Sequence, residues 1–408
     1  MRFAAIGVAF VCACTSSTTS NSGAGGTGPG GTGPGGSGGN APPTSLLDKQ
    51  EALAMALRGD TDFMIGVGND NTGPYDHAVP IGLHYVYLTG YGDQGGWPTW
   101  NADSDYPLLF EQADAPHDVS SWFTYYQLAL ELQNNNDAVL ADPTRMGQYL
   151  SDMRTLFGKI AANGTPAIVQ LEPDFFGFLM QRASAGKSPD QIPAAVSAPE
   201  CPNAAQTVTG LVECVVAIGR ATAPMAFIGY HASQWGAYFD VTDPNADVAG
   251  SAKTVADFLL SVGAAKTDFV SVETLDRDAG FWETDGGGTT CSVTMGSRGP
   301  VYWDEANVAL PNFTQYLTWV SALTNELQVP ALEWQTPLGV PSDTCGGSNG
   351  HWRDNRVHYF FGHVPDLVGA GIAGMAFGTG AGDQTDLSSD GDQLKTAATA
   401  FAAAPVAM

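Results

Sequence analysis

The stretch IVQLEPDFFGF, residues 168–178, breaks off a β-branched run into Glu172 and Asp174, with only Pro173 between them, and then continues into aromatic residues. A further carboxylate, Glu333, is set in the apolar run PALEWQ at 330–335. An unpaired carboxylate in such surroundings is costly to bury unless its shifted pKa is put to use. Two carboxyl groups facing each other across a cleft are the equipment for cleaving a glycosidic bond. One protonates the leaving oxygen, and the other attacks the anomeric carbon or activates water. Carboxyls about 5 Å apart go with retention of configuration, and those about 6.5 to 9.5 Å apart with inversion. Glu172, Glu333 and Asp174 are therefore the candidate catalytic residues.

Those groups need elements that deliver them. Eight short apolar runs read as strands: 63–69, 83–90, 123–130, 167–172, 225–231, 268–274, 330–335 and 371–378. Between most of them lie helical patterns. The clearest runs from Asp142 as N-cap, with Pro143 in the first turn, to Asn163-Gly164; Met146, Tyr149, Leu150, Met153, Leu156, Phe157 and Ile160 fall on one face. Others are expected to start near Ser251, Asp304 and Arg353. The first two connections are poor in helix pattern. The alternation predicts an α/β fold, a (β/α)8 TIM barrel with irregular first βα units, and a doubly wound open sheet is the runner-up.

On a barrel, chemistry sits at the C-terminal ends of the strands. Here those ends are polar: Asn69-Asp70, Glu172 and Asp174, His231, Glu273 with Asp276 and Asp278, and Glu333-Trp334-Gln335. Period-two alternation puts Gln170, Glu172 and Asp174 on one side, Ser271 with Glu273, and Glu333 with Gln335. Asp276 and Asp278 read as helix caps or solvated loop residues, and Asp240 with Asp243 as turn chemistry. Trp97, Trp100, Trp235, Trp282, Trp334 and Trp352 fall on or beside the expected loops, where flat apolar faces can stack on sugar rings. Asp70, His231, Trp235, Glu273, Trp282, Trp334 and Gln335 are the candidate substrate-binding residues.

Bulk properties narrow the substrate. A formal net charge of −26 over 408 residues leaves no basic patch for nucleic acid and disfavours anionic polymers. A neutral or cationic substrate is expected. Arg2 followed by the apolar run Phe3 to Val11 reads as a signal peptide, and it ends in Val11-Cys12-Ala13-Cys14, which is similar to a bacterial lipobox. An ordinary cleaved signal is the alternative. Residues 15–45 are a Gly, Ser, Thr and Pro-rich tether with a repeated GTGPG unit. The expected layout is a signal peptide over 1–14, the tether, and one catalytic-type domain over 46–408. Such a protein would be a monomer held at the cell surface or in the periplasm through a lipid on Cys14, or else secreted.

Cys201, Cys214, Cys291 and Cys345 remain, none with metal-site spacing, and an exported chain favours disulfides. Four cysteines allow three pairings. On the barrel, Cys201 and Cys214 close a small loop between the fourth and fifth strands, while Cys291 and Cys345 lie in adjacent loops of one face; those two pairings are expected. No cofactor or metal is expected. GAGIAG at 369–374 has the letters of a dinucleotide fingerprint but precedes a strand. Asp383, Asp386, Asp390 and Asp392 read as a solvated acidic loop in preference to a calcium site. WRDNRVHYFFGHV reads as an amphipathic helix whose Arg353 and Arg356 reach acids or substrate.

LEPD at the fourth strand and ALEWQ at the seventh resemble the retaining (β/α)8 glycoside hydrolases of the cellulase and mannanase type. That resemblance implies Glu172 as acid/base, Glu333 as nucleophile and His231 at the sugar site. Leu171 stands where those enzymes carry asparagine, and no arginine is found on the third strand. A second, more local resemblance is to the inverting family 6 cellulases, which carry Glu-Pro-Asp and a Gly-His-x-x-Trp stretch; GYHASQWG at 229–236 is similar with one residue inserted. It implies Asp174 as the acid. The Asp-Arg-Asp-Cys motif of that family is missing. A catalytically silent glycan-binding barrel is the alternative from a different functional class.

Overall fold

All eight predicted strands form and pair in parallel into a closed barrel. In chain order they are β1 (Met64–Gly68), β2 (Leu83–Thr89), β3 (Ser120–Tyr126), β4 (Ala167–Leu171), β5 (Ala226–His231), β6 (Phe269–Val272), β7 (Ala331–Thr336) and, after a two-residue-per-strand hairpin of β8 (Gly347–Ser348) and β9 (His351–Trp352), β10 (Ile372–Gly378). Their order around the barrel is β1-β10-β7-β6-β5-β4-β3-β2. The open-sheet alternative is thereby excluded. This computed structural model describes residues 45–68, 73–183, 185–240, 243, 245–284, 301–378 and 384–408. The signal, lipobox, tether, Asp70, Cys291 and Asp383 lie outside the described residues.

The helices are α1 (Leu46–Arg58), α2 (Tyr106–Asp114), α3 (Leu128–Gln133), α4 (Pro143–Asn163), α5 (Phe175–Ala183), α6 (Val208–Thr222), α7 (Val248–Ser261), α8 (Ala279–Thr284), α9 (Phe313–Leu327), α10 (Arg356–Gly362), α11 (Val364–Gly369) and α12 (Gln393–Ala403). α4 starts where its cap signals put it: the Asp142 side chain accepts from the amides of Thr144 and Arg145, and Gly164 closes the helix in the left-handed conformation. The helix expected near Asp304 starts later, at Phe313 behind the cap Asn312, because the Asp304 carboxylate instead binds the amides of Ala306, Val308 and Ala309 in a turn. The run 123–130 is not one strand. It divides at Gln127 into the end of β3 and the start of α3. Among the described residues no helix is long and apolar enough to cross a membrane.

Two apolar layers follow from strand alternation. One lies between sheet and helices and holds Val169, Leu171, Ile228, Val270, Val272 and Phe377. The other fills the barrel itself with Met64, Leu83, Tyr85, Trp122, Ile168, Phe269, Leu332 and Trp334, closed below by Leu53, Ala54 and Leu57 of α1. Large rings fit inside because neighbours are small: a Cβ on Gly229 would stand 2.5 Å from the Phe269 ring. Midway up, the interior turns polar. Gln170 accepts from Trp122 Nε1 at 3.0 Å and Thr124 Oγ1 at 2.8 Å, and donates to Ser271 Oγ at 2.8 Å. Everything above that level is a mouth whose lining comes from the strand ends.

The loops above β6, β7 and β10 are tied by buried acids. Asp354 accepts from the amide of Ala279 at 2.8 Å and pairs with Arg356 Nη1 at 2.9 Å, both partners fully buried. Asp278 accepts from the amides of Gly339 at 3.1 Å and Thr385 at 2.7 Å. Glu283 is forked onto Arg353 and accepts the Gly346 amide at 2.8 Å. Arg353 and Arg356 thus reach acids, as the sequence predicts. The Cys201–Cys214 disulfide is present, while the Cys291–Cys345 pairing falls partly outside the described residues.

Candidate active site

Glu172 does not reach the barrel mouth. β4 ends at Leu171, and Glu172 takes a left-handed φ of 51°, which breaks the alternation that would have aimed it inward. Its carboxylate instead accepts from the amides of Gln127 at 3.0 Å and Ala129 at 3.1 Å. It caps the start of α3 from a distant part of the chain, satisfying amides that the helix itself cannot. Burial lifts its pKa to about 7, with the amide bonds and Tyr149 opposing the rise. Glu172→Gln should leave turnover within about threefold and lower stability by about 1 kcal/mol. A loss of turnover as large as that of a true acid would return Glu172 to the chemistry.

Glu333 is also directed outward. On β7 it is Leu332 and Trp334 that face the interior, so Glu333 points to the helix layer. There it accepts from the Thr274 amide at 3.0 Å, from Thr336 Oγ1 at 3.3 Å and from the Tyr316 hydroxyl of α9. Burial lifts its pKa to about 8. The expected face-to-face arrangement of Glu172 and Glu333 is therefore corrected: each carboxylate is consumed by its own set of donors in the shell around the barrel.

Three carboxyls at the strand ends, Asp174, Glu273 and Asp276, lie close enough to feel one another's charge. Asp174, again at positive φ, accepts from Trp235 Nε1 at 3.1 Å and from the Tyr126 hydroxyl at 3.3 Å. Burial lifts its pKa to about 6, with the two donors opposing and the Asp276 charge adding to the rise. Glu273 has no hydrogen-bond donor among the described residues, and its pKa is pushed well above the carboxylate range by burial and then by the charges of Asp174, Asp276 and Glu333. Arg277 pairs with Asp276 at 2.5 Å and lies 5.1 Å from the Trp282 ring centroid.

Aromatic residues wall this group. Tyr87 and Tyr126, at the ends of β2 and β3, stand edge to face at 5.9 Å, and Trp334 lies 5.6 Å from Tyr87. Both tyrosines lie close enough to Asp174 and Glu273 to feel their charge. His231 packs edge-on against Trp334 at 5.5 Å; burial drives its pKa down to about 3, so it is a neutral wall residue. Trp235 reaches the mouth because α5 comes close: a Cβ on Gly177 would meet its ring at 2.6 Å. Trp97 is instead core against Tyr125, Trp352 packs on Phe281, and Trp100 is 41% exposed against Tyr106.

Gln335, at the end of β7, also turns inward. Its φ of 55° coincides with a register shift against β10, and its Oε1 accepts from the Tyr87 hydroxyl. Sequence reading missed Tyr87 and Tyr126 and set Asp276 aside. The signal for the tyrosines was available in the alternation Leu83/Tyr85/Tyr87 and Trp122/Thr124/Tyr126, whose last members must face the mouth.

The raised carboxyls make a prediction for the whole molecule. Asp174, Glu172, Asp278 and Glu333 titrate at about 6, 7, 7 and 8 in the fold, against 3.8 to 4.5 in the open chain. Between those limits the folded state binds more protons than the unfolded state, so stability falls as pH rises. Thermal unfolding should come several degrees higher at pH 5 than at pH 8. A melting temperature that rises toward pH 8 would contradict the burial of these groups.

The fold defines a (β/α)8 barrel whose C-terminal strand ends gather carboxyl and aromatic side chains. Solved structures similar to it include a modular endo-β-1,4-mannanase from Cellulomonas fimi, of glycoside hydrolase family 26, at 12% identity over 88% of this chain and 74% of that one, with a TM-score of 0.49. A structure of fungal β-1,4-galactanases is similar at 9% identity over 85% and 96% of the two chains, TM-score 0.44. The endoglucanase Cel6 from Mycobacterium tuberculosis is similar at 14% identity over 56% and 55%, TM-score 0.28. No family model and no curated protein matches the chain.

Proposed function

We propose that this protein is a glycoside hydrolase acting on a neutral polysaccharide or oligosaccharide, with Asp174 and Glu273 as its carboxyl pair. The observation that carries the reading is the unequal support of the two groups: Asp174 accepts from Trp235 and Tyr126, which favour its anion, while Glu273 has no donor among the described residues and feels the charges of Asp174, Asp276 and Glu333. Environments that push two carboxyls apart in this way divide the labour of acid and base. Glu273 is the proton donor to the glycosidic oxygen as the bond to the anomeric carbon breaks. Asp174 is the carboxylate that attacks that carbon or takes a proton from the attacking water. Tyr87, Trp235 and Trp334 supply flat faces for the sugar.

Export through the N-terminal signal and anchoring through a lipid on Cys14 belong to the same proposal, and rest on the sequence alone. The test is a panel of mannan, galactan, xylan, cellulose and their oligosaccharides, assayed for new reducing ends. Proton NMR of the first product anomer then reports whether Asp174 attacks carbon, with retention, or activates water, with inversion. Release of reducing ends from at least one neutral glycan is expected. Tight binding of a glycan without turnover would replace the reading with the silent glycan-binding barrel.

A further inference from the structure

Gln335 is only 4% exposed, yet only half of its amide is used. Its Oε1 takes the Tyr87 hydroxyl, while its Nε2, with two N–H donors, has no partner among the described residues. Tyr87 in turn stands within the field of both Asp174 and Glu273. The amide is thus held on the inward face beside Tyr87, with its rotation fixed by that bond.

Presenting it this way carries a cost. A non-glycine residue at φ 55° sits in a sparsely populated region of backbone space. The strain falls where β7 shifts register against β10 between Met375 and Phe377, and the result is that Trp334 and Gln335, adjacent in sequence, both look into the barrel. Irregularities of this kind re-aim side chains next to active sites. Strict alternation would have sent Gln335 outward, where its amide would face the helix layer.

We infer that Gln335, clamped by Tyr87, donates a hydrogen bond to one hydroxyl of the sugar bound at Asp174 and Glu273, and so decides which sugar configuration is accepted. This rests on the glycoside hydrolase reading. A site built to bond a hydroxyl rejects the analogue lacking it, because its own polar group is left unpaired.

The experiment compares wild type, Gln335→Met and Tyr87→Phe on the dinitrophenyl glycoside that wild type turns over best and on its monodeoxy series. Gln335→Met should lower kcat/KM on the parent glycoside by roughly 10- to 100-fold. On one monodeoxy analogue it should match wild type. Tyr87→Phe should give a smaller loss confined to the same hydroxyl. An equal loss for Gln335→Met on every member of the series, or no loss on any, overturns the inference while leaving the hydrolase reading intact. Wild type inert on every glycoside and glycan removes both. Circular dichroism of each variant separates a folding defect from a lost contact, and a folded Gln335→Met is the one scored; if it does not fold, Gln335→Glu is scored on the same series, with the same two outcomes.

Discussion

Replacing Glu273 by glutamine, or Asp174 by asparagine, is expected to lower kcat/KM on the hydrolysed glycan by about 10³-fold or more, while the folded protein becomes harder to melt at pH 8. The first half follows from removing a proton donor or the carboxylate that works opposite it. The second half follows from the titration. Both groups carry folded pKa values above their open-chain values, Asp174 at about 6 and Glu273 well above 4.5, so ionising them at pH 8 works against the fold. Neutral amides of the same shape relieve that cost, and relieve it further at the neighbour, since Asp174 and Asp276 both burden Glu273. Loss of activity joined to gain of stability is the signature of a site whose groups are held in place against their own preference. Glu172→Gln, by contrast, should leave turnover within about threefold, because that carboxylate caps α3 outside the mouth. Activity that survives in Asp174→Asn and Glu273→Gln would eliminate this pair as the catalytic one, and kinetics together with melting curves on the three variants reports the pattern directly.

The second large effect is structural. Arg356→Met should cost about 3 to 5 kcal/mol of folding free energy, read from denaturant titration. Arg356 and Asp354 are both fully buried, at 2.9 Å, and Arg356 also donates to the Val301 carbonyl at 3.3 Å and lies 4.7 Å from the Trp303 ring centroid. Methionine fills the volume but leaves the Asp354 carboxylate without its counter-charge. That carboxylate still holds the Ala279 amide, so the strain passes to the loop above β6 that carries Asp276 and Arg277. The double variant Asp354→Asn with Arg356→Met should recover much of the loss, because no buried charge then remains uncompensated. A cost below about 1 kcal/mol for the single variant would mean that the pair is solvated in solution.

The barrel was legible because it depends on local patterns. Eight apolar runs with turn signals between them are enough, and α4 shows its cap, its apolar face and its closing glycine in consecutive residues. What could not be read locally are bonds made across long separations. The division of 123–130 into strand and helix depends on Glu172, more than forty positions away in sequence, accepting the α3 amides. The candidate site was half legible for a related reason. Asp174, Glu273, His231, Trp235, Trp334 and Gln335 were all picked out by their place at strand ends, and the structure brings them to one mouth. Their roles were misassigned wherever the backbone leaves regular geometry: alternation fails at Glu172 and at Gln335, and both have positive φ. Alternation groups Glu333 with Gln335 only if β7 is regular between them, and its register against β10 shifts there.

The two left-handed residues at the mouth, Asp174 and Gln335, also set the terms on which it could be diversified in the laboratory. Saturation libraries there will not sample side chains evenly. Valine, isoleucine and threonine are sterically excluded by the backbone, whatever chemistry they would offer, whereas asparagine, aspartate and glycine enter at little cost. New specificities would therefore be sought more productively at Tyr87, Tyr126 and Trp235, which line the same mouth without left-handed backbone. In those positions a change of side chain need not carry a change of chain path with it.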